Sequence, residues 1–481
     1  MNSIKKNATL NVIKQICTIL FPLITFPYAT RILQTENYGM YTFSSSVVSY
    51  FTLIAGLGVT NYAVREGARI RNDKTSIISF VDEVFSVNII STAISYIALI
   101  LLILFWRKLD SYIAIILILS SSIAFTTLGT DWINIIYEDY EYITKRYIIC
   151  HVLAIIFLFL TVKDTDDTIF YAISTVIGVV SANIFNIIYI RKRYGLRPKI
   201  RIDKKVLIHI TPILILFANS IASTIYLNSD VTILGIIKDN YAVAIYGVSS
   251  RIYMMVKGIA NAAITVIIPR IASLITKDNI DGIRSIYKKT LGSVVLLILP
   301  AMVGLIFLSD DIVRLISGAE YIDAAKPLVI LSCALPFATS ACLFINGILI
   351  PYRKERIALQ LTVVSALINI VLNFILIPSL SFNAAALTTF LAELFMFCGG
   401  LIATKKIITI DVKKELMLSV VTCCIVALTC KVASMFVVNL VIRIFVSMLF
   451  SVAFYTIFLC IVKNNIVYDT IRGIVKRVAK K

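Results

Sequence analysis

The sequence is poor in charge. Only 15% of its 481 residues are Asp, Glu, Lys or Arg, whereas 59% are hydrophobic and the mean hydropathy is +0.92. A soluble protein has about 25% charged and about 45–50% apolar residues. With 10 Pro and 18 Gly, the chain also has no long polar stretch that would form a separate soluble domain. The composition therefore predicts an integral membrane protein with one membrane domain.

The residues of common catalytic and metal sites are also scarce. There are two histidines, His151 and His209, and none of the nine cysteines repeats a paired metal-ligand spacing. The sequence has no Ser/His/Asp arrangement and no Gly-rich phosphate loop followed by Lys and Ser or Thr. No basic patch lies on a soluble module that would bind nucleic acid. We therefore expect a transporter rather than an enzyme, with no cofactor, no bound metal and no nucleic-acid partner.

Long apolar windows are abundant. A bilayer span needs about 20 apolar residues, and the sequence predicts about 14 such helices. They lie near 10–31, 40–63, 82–105, 111–133, 146–162, 168–190, 206–230, 242–268, 289–309, 324–350, 357–378, 383–404, 415–437 and 440–462. The first window follows Lys5 and Lys6 as in a signal peptide, but it is too long and lacks a cleavage site. We expect it to be retained as the first span.

The distribution of positive charge predicts the orientation. If the N-terminus is cytoplasmic, most of the 46 Lys and Arg fall on the inner side, including the dense basic stretch at 191–199. This bias is the positive-inside rule. It predicts that both termini face the cytoplasm and that the number of spans is even.

Two halves of the chain resemble each other at an offset of 205 residues. The offset pairs 41–45 (YTFSS) with 246–250 (YGVSS) and Arg65 with Arg270. Because each half begins inside and has six spans, the repeat is predicted to be parallel. The predicted organisation is an N-terminal lobe at 1–190, a basic linker at 191–205, a C-terminal lobe at 206–404, and two extra spans with a basic tail at 405–481.

Charged residues in or beside the spans are the candidate binding residues. A charge in the bilayer costs about 3 kcal/mol on insertion scales, so it normally faces a cavity or a partner. The candidates are Lys14, Arg31, Asp131, Asp230, Arg251, Lys257, Glu393 and Lys431. Cations outnumber acids, and desolvated Arg and Lys bind phosphate strongly, so the balance suits an anionic cargo. The alternative for each is a structural ion pair or a charge that reaches the interface, as for Arg443 at the start of the last span.

Two further features of the spans bear on binding: the depth of Arg251 and the presence of asparagines. Arg251 lies about 15 Å along its helix at 1.5 Å per residue, too deep for easy access to the interface. Asparagines in the spans, among them Asn88, Asn186, Asn369 and Asn373, could bind sugar hydroxyls or hold helices together. The sequence leaves both roles open.

Three segments resemble a known family. The stretch 31–41 (RILQTENYGMY) resembles the first periplasmic turn of bacterial O-antigen and capsule repeat-unit flippases of the Wzx type. The stretch 131–144 (DWINIIYEDYEYIT) is similar to a signature of that family, with the best match at Trp132 and Glu138. A Gly is usual before this Glu, where the sequence has Tyr137. The junction at 229–249 also resembles the family, whose superfamily includes drug and organic-cation exporters.

The resemblance implies a fold with two lobes around a central cavity in a bacterial plasma membrane. Its implied cargo is an oligosaccharide joined by pyrophosphate to undecaprenol, carried from the cytoplasmic to the outer leaflet by alternating access. A polymerase and a chain-length regulator of the same pathway are implied partners. The alternatives are an ion-coupled drug extruder, which would favour acids in the cavity, and a membrane polysaccharide polymerase, which would need larger outside loops.

Overall fold

The computed structural model describes residues 2–201, 203, 206–265, 267–275, 280–405, 407–408 and 412–464. Helices account for nearly all of these residues, and no β-strand occurs among them. The chain divides into two compact units, unit 1 (Met1–Ala244) and unit 2 (Ile245–Lys481). The predicted all-α class is confirmed. The predicted lobe boundaries and the linker at 191–205 stay predictions.

Unit 1 is built on one very long N-terminal helix. Its helices are α1 (Asn2–Gly56), α2 (Val59–Ile70), α3 (Lys74–Phe105), α4 (Ile113–Gly129), α5 (Trp132–Ile136), α6 (Tyr140–Thr161), α7 (Thr168–Arg193) and α8 (Val206–Ile237). Helices α1 and α6 run side by side in the same direction, as shown by contacts at Lys6–Glu141, Leu10–Thr144 and Tyr28–Phe159. This parallel packing determines which charged side chains of α1 and α6 meet.

Helix α1 contains a break at Gln34, where the backbone has φ 57° and ψ −175°. The segment Thr9–Ile70 is 62 residues long. A straight helix of that length would extend about 90 Å, about three times the hydrocarbon thickness of a bilayer. The break therefore separates two stretches of α1, which correspond to the predicted windows 10–31 and 40–63.

Unit 2 contains the remaining helices. They are α9 (Asn240–Thr265, which begins in unit 1), α10 (Ile268–Ile275), α11 (Ile280–Phe307), α12 (Ser309–Ser317), α13 (Ala325–Phe344), α14 (Glu355–Leu380), α15 (Phe382–Lys405), α16 (Lys413–Phe436) and α17 (Leu440–Ile461). Helix α13 is the most buried candidate span and packs against α11 and α15. Helix α16 packs against α11 and α17. The last two helices are thus attached to the unit through α11 and α12.

Twelve helical segments in the described part of the chain are long and apolar enough to cross a membrane. The segment Thr9–Ile70, with its internal break, counts as one of them, and α9 is not among them. Every predicted window nevertheless coincides with a helix. The multi-span membrane fold is confirmed, and the count of fourteen stays a prediction.

Candidate functional site

A buried ion pair joins α9 to α15 in unit 2. The Lys257 ammonium donates to the Glu393 carboxylate, and these side chains are only 16% and 6% exposed. The Tyr253 hydroxyl donates to the same carboxylate at 3.4 Å, and the Lys257 ammonium lies 5.5 Å from the Tyr253 ring centre. Both charges are therefore compensated within the helix pair. Of the two sequence interpretations, the structural ion pair describes Lys257 and Glu393.

Arg251 lies on the same helix but in a different environment. Its side chain is exposed, and no carboxylate of the described residues pairs with it. It lies six residues before Lys257, which turns it to another face of α9. Arg251 is therefore a cation that no described carboxylate compensates, on a helix that coincides with the predicted window 242–268.

A second ion pair in unit 2 holds the C-terminal helices. The Arg443 guanidinium on α17 donates from two nitrogens to Asp311 at the start of α12, with Nε–Oδ2 at 2.6 Å. Such a two-point contact fixes orientation as well as charge. The sequence left a structural ion pair and a charge that reaches the interface as alternatives for Arg443, and the structure pairs it with an acid 132 residues away. Lys431 on α16 is exposed.

In unit 1, Asp131 and Arg146 form an ion pair between the start of α5 and the first turns of α6. The Arg146 side chain is 5% exposed, whereas that of Asp131 is 41% exposed. Lys14 on α1 interacts electrostatically with both and lies 5.8 Å from the Tyr147 ring centre. The sequence placed Asp131 inside a span, but α4 ends at Gly129, because Thr130 takes a left-handed backbone conformation, and Asp131 directly precedes the next short helix.

The family-like stretch 131–144 forms a junction between α2, α5, α6 and α7. Asp139 accepts from the Tyr142 backbone N–H at the start of α6 and from the hydroxyls of Tyr189 at 2.6 Å and Tyr194 at 3.0 Å. The Tyr142 and Tyr189 rings stack with centres 3.5 Å apart, and Tyr137 stacks on Tyr194 at 4.3 Å. Burial and the nearby Asp139 carboxylate raise the pKa of Tyr194, which keeps its hydroxyl a donor.

The backbone angles at Tyr137 and Glu138 explain why a tyrosine can stand where the family usually has a glycine. Tyr137 has φ −86°, which any residue adopts, and the positive φ of 57° occurs at Glu138 itself. No glycine is therefore required at 137. The Glu138 carboxylate accepts from Arg71 at 2.8 Å, and Arg71 also donates to the Ile136 carbonyl at 2.9 Å. Trp132 is buried in the core between α2, α3 and α5. The signature residues therefore hold helix ends together within unit 1.

The other two candidates lie elsewhere in unit 1. Arg31 is exposed on α1, three residues before the break at Gln34. Asp230 is 4% exposed on α8 and interacts electrostatically with Tyr50. The structure thus brings Lys14 and Asp131 together in unit 1, and Lys257 and Glu393 together in unit 2. It leaves Arg31, Asp230, Arg251 and Lys431 outside these two clusters.

Several asparagines join helices. Asn186 on α7 accepts from Asn134 at 2.6 Å and donates to the Gly129 carbonyl at 2.6 Å. Asn369 and Asn373 on α14 bond each other and Thr388 of α15. All four amides are fully buried. For these residues the helix-joining role is the one that the structure shows.

Sequence reasoning missed one residue of the Lys14–Asp131 cluster, Arg146, and one residue of the neighbouring junction, Asp139. Arg146 is the first residue of the predicted window 146–162, whereas α6 begins at Tyr140 and carries Arg146 inside the unit. Asp139 was quoted only as part of the motif. Its position directly before a helix, followed by an acid at Glu141, was the signal for an N-terminal cap.

Comparisons with known proteins place this arrangement in a family. The family model described as polysaccharide biosynthesis protein matches residues 4–275. The model described as lipid II flippase MurJ matches residues 147–460. Each match covers more than half of the chain, and together they span nearly all of it.

Two curated relatives are similar over different lengths. A protein of Haloferax volcanii, named a low-salt glycan biosynthesis flippase, is 28% identical over 174 residues, which is 36% of this chain and 37% of that protein. A protein of Shigella dysenteriae, named an O-antigen transporter, is 23% identical over 376 residues, 78% of this chain and 93% of that protein. The chain therefore spans only about a third of the archaeal relative but nearly all of the bacterial one.

Solved structures define the fold. The lipid II flippase MurJ in an inward closed conformation superposes with a TM-score of 0.75 at 18% identity, covering 95% of this chain and 99% of that one. An inward-facing multidrug resistance transporter of the MATE family gives 0.60 at 13% identity, covering 80% and 94%. The fold is thus the one that these two solved transporters share. Within it, the chain belongs to the polysaccharide biosynthesis and lipid II flippase families, which confirms the predicted Wzx-type flippase branch.

Proposed function

We propose that this protein flips lipid-linked oligosaccharides across a bacterial plasma membrane for the synthesis of a surface polysaccharide. The observation that carries the proposal is the pair of family matches, one to polysaccharide biosynthesis proteins and one to lipid II flippases. The relative named an O-antigen transporter, which aligns over most of both chains, supports the same activity. The relatives are named as transporters or flippases, which supports a transporter rather than an enzyme.

The finer proposal is that the cargo is joined by pyrophosphate to undecaprenol and that exposed cations contact the phosphates. Arg251 is the strongest candidate because its charge is exposed and no described carboxylate neutralises it. Lys257 is weaker because Glu393 already neutralises it. Arg31, Lys14 and Lys431 complete the predicted set of cations. A guanidinium provides several donors in one plane, which suits phosphate oxygens.

An apolar groove could accommodate the lipid tail. It lies between α16 and α17, has a volume of about 600 Å³, and is lined from Ile425 to Ile461 by residues without charge. A polyprenyl chain needs such a surface because it exposes no polar atoms. The proposal therefore assigns the head group to the cationic residues and the tail to the C-terminal helices.

The proposal also includes the direction of transport and the proteins that receive the cargo. The positive-inside bias supports cytoplasmic termini, and the fold family supports alternating access that takes cargo from the cytoplasmic to the outer leaflet. The cargo would then pass to a polymerase and a chain-length regulator. Whether the product is O-antigen or capsule depends on the sugars, which enzymes of the same pathway add.

The test is a flipping assay with the purified full-length chain in vesicles that contain a fluorescent pyrophosphate-linked oligosaccharide lipid. We expect protein-dependent transfer, and we expect Arg251→Ala to slow it about 100-fold, because truncating one partner of a desolvated charge contact costs about 2–5 kcal/mol. Arg314→Ala, an exposed arginine of the same unit, is the matched control. Absence of transfer by the unaltered protein would refute the function. Full activity of Arg251→Ala would refute only the role of Arg251.

A drug or organic-cation extruder is the second candidate, favoured by the MATE-family fold. An acid that is free to attract a cation would support it, yet Asp131 and Glu393 are both bound by basic residues. Energised vesicles that expel a cationic dye, without any transfer of glycolipid, would establish this candidate instead.

A further inference from the structure

The Arg146 side chain has more hydrogen-bonding capacity than the protein uses. A guanidinium carries five N–H donors and remains charged. The Arg146 side chain is 5% exposed and donates to Asp131 from Nη2, whereas Nε and Nη1 have no partner among the described residues. Buried polar groups nearly always have partners, and an unpaired charged donor is especially unfavourable. Two N–H-bearing nitrogens of a buried cation therefore have no acceptor among the described residues.

The nearby acids are already engaged. Glu141 accepts from Lys6 at 2.5 Å and from Lys145 at 2.8 Å. Asp139 is held by two tyrosine hydroxyls and caps α6. Asp131 is left to balance both Arg146 and Lys14. The cluster of Lys14, Asp131 and Arg146 therefore carries one surplus positive charge, and that surplus favours an anion over water as the acceptor.

The cluster is buried at Arg146 and exposed at Asp131. Arg146 lies at its base, stacked 5.2 Å from the Tyr142 ring centre, and the half-exposed Asp131 marks its open side. Lys14 enters from α1, held near the ring of Tyr147. Both helices that contribute cations are candidate membrane spans. Because both helices are long and apolar enough to cross a membrane, an anion bound beside them is most simply part of a lipid.

We infer that Lys14 and Arg146, with Asp131 beside them, form a second anion site, in unit 1, which binds a phosphate group carried by a membrane lipid. The phosphate belongs either to the glycolipid cargo or to an anionic phospholipid. Its assignment to cargo rests on the proposed function, whereas the binding of phosphate does not. In this site Arg146 provides donors from Nε and Nη1, and Lys14 provides the charge that Asp131 leaves uncompensated.

The test uses the full-length protein purified in detergent and titrated with inorganic pyrophosphate in a calorimeter. Lys14→Met removes the surplus charge and leaves the Asp131–Arg146 pair intact, so we expect affinity to fall about tenfold. Lys6→Met, two turns earlier on α1 in an exposed pair, is the matched control and should change affinity less than about twofold. Arg146→Lys keeps the pair but loses donors, and it should also weaken binding. Equal thermal unfolding temperatures would show that the variants are folded.

A further measurement distinguishes the phosphate of a phospholipid from that of the cargo. Native mass spectrometry from nanodiscs with phosphatidylglycerol or phosphatidylcholine shows whether a phospholipid is retained in a Lys14-dependent way and displaced by pyrophosphate. Retention with displacement assigns the site to a phospholipid phosphate. Pyrophosphate binding without retention assigns it to the cargo. No binding of either probe, or equal binding by Lys14→Met, would overturn the inference. Phosphate binding by a protein that flips no glycolipid would refute only the proposed function.

Discussion

The two units differ in how they compensate the charged side chains of their helices. In unit 2 the Lys257–Glu393 pair is closed: both side chains are buried, and the Tyr253 hydroxyl adds a third bond. In unit 1 the Asp131–Arg146 pair is open, with a half-exposed acid and Lys14 as a surplus cation. A closed and neutral pair contributes structure and offers little to a ligand. The open pair has charge and donors available for one.

The closed pair should show the largest effect of a single substitution. Glu393→Leu leaves the Lys257 ammonium buried without compensation, and breaking such a pair costs about 3–5 kcal/mol. We expect little folded protein, measured as yield and as unfolding temperature in detergent. The double variant Lys257→Met with Glu393→Leu replaces both charges by apolar groups and should recover most of the loss. A stable Glu393→Leu single variant would show that water reaches Lys257 and that the pair is not closed.

The open pair should respond less, and its response should depend on anions. Asp131→Asn removes the negative charge beside Arg146, at a cost of about 1–3 kcal/mol, because the asparagine keeps an amide oxygen that accepts from Arg146. The anion site inferred above adds a second expectation: inorganic pyrophosphate should restore part of the unfolding temperature.

Asp110→Asn, an exposed acid of the same unit, is the matched control. Its unfolding temperature should equal that of the unaltered protein and should not rise when pyrophosphate is added. If Asp131→Asn were as destabilising as Glu393→Leu, the difference between the two units would disappear.

The sequence predicted the spans well because apolar windows report lipid exposure directly. The window at 168–190 corresponds to α7, and the one at 440–462 corresponds to α17. The break in α1 at Gln34 lies between the predicted windows 10–31 and 40–63, within the stretch 31–41 that resembles a turn of the family. The sequence did not predict that helix would continue up to this one residue from both sides, because an apolar pattern does not report the backbone angles of a single residue.

The candidate site was predictable only as a set of charges. Lys14, Asp131, Lys257 and Glu393 stood out because each interrupts an apolar run. Which of them pair depends on contacts between distant residues, such as the 136 positions from Lys257 to Glu393. Arg146 was missed because a basic residue next to Lys145 looks like the end of a loop. Only the start of α6 at Tyr140 shows that it lies inside the unit.

The Arg71–Glu138 pair, which is exposed, should show the smallest loss of stability of the three ion pairs. A small loss here would indicate that burial causes the larger losses at the other two pairs. Arg71 and Glu138 are 34% and 50% exposed and lie 2.8 Å apart. Glu138→Gln should lower stability by no more than about 1 kcal/mol, because solvent screens such pairs. The difference from the unaltered protein should shrink in about 1 M salt, where the screening length falls to about 3 Å.

The measurement is thermal unfolding of both proteins in detergent at low and high salt. The Lys257–Glu393 pair should lose little stability in the same salt, because both side chains are largely shielded from solvent. If Glu138→Gln lost much stability at both salt concentrations, the junction at 137–139 would be as shielded from solvent as the core of unit 2. The position of this junction at the end of α7, where Asp139 holds Tyr189 and Tyr194, would then count as part of the buried framework of unit 1.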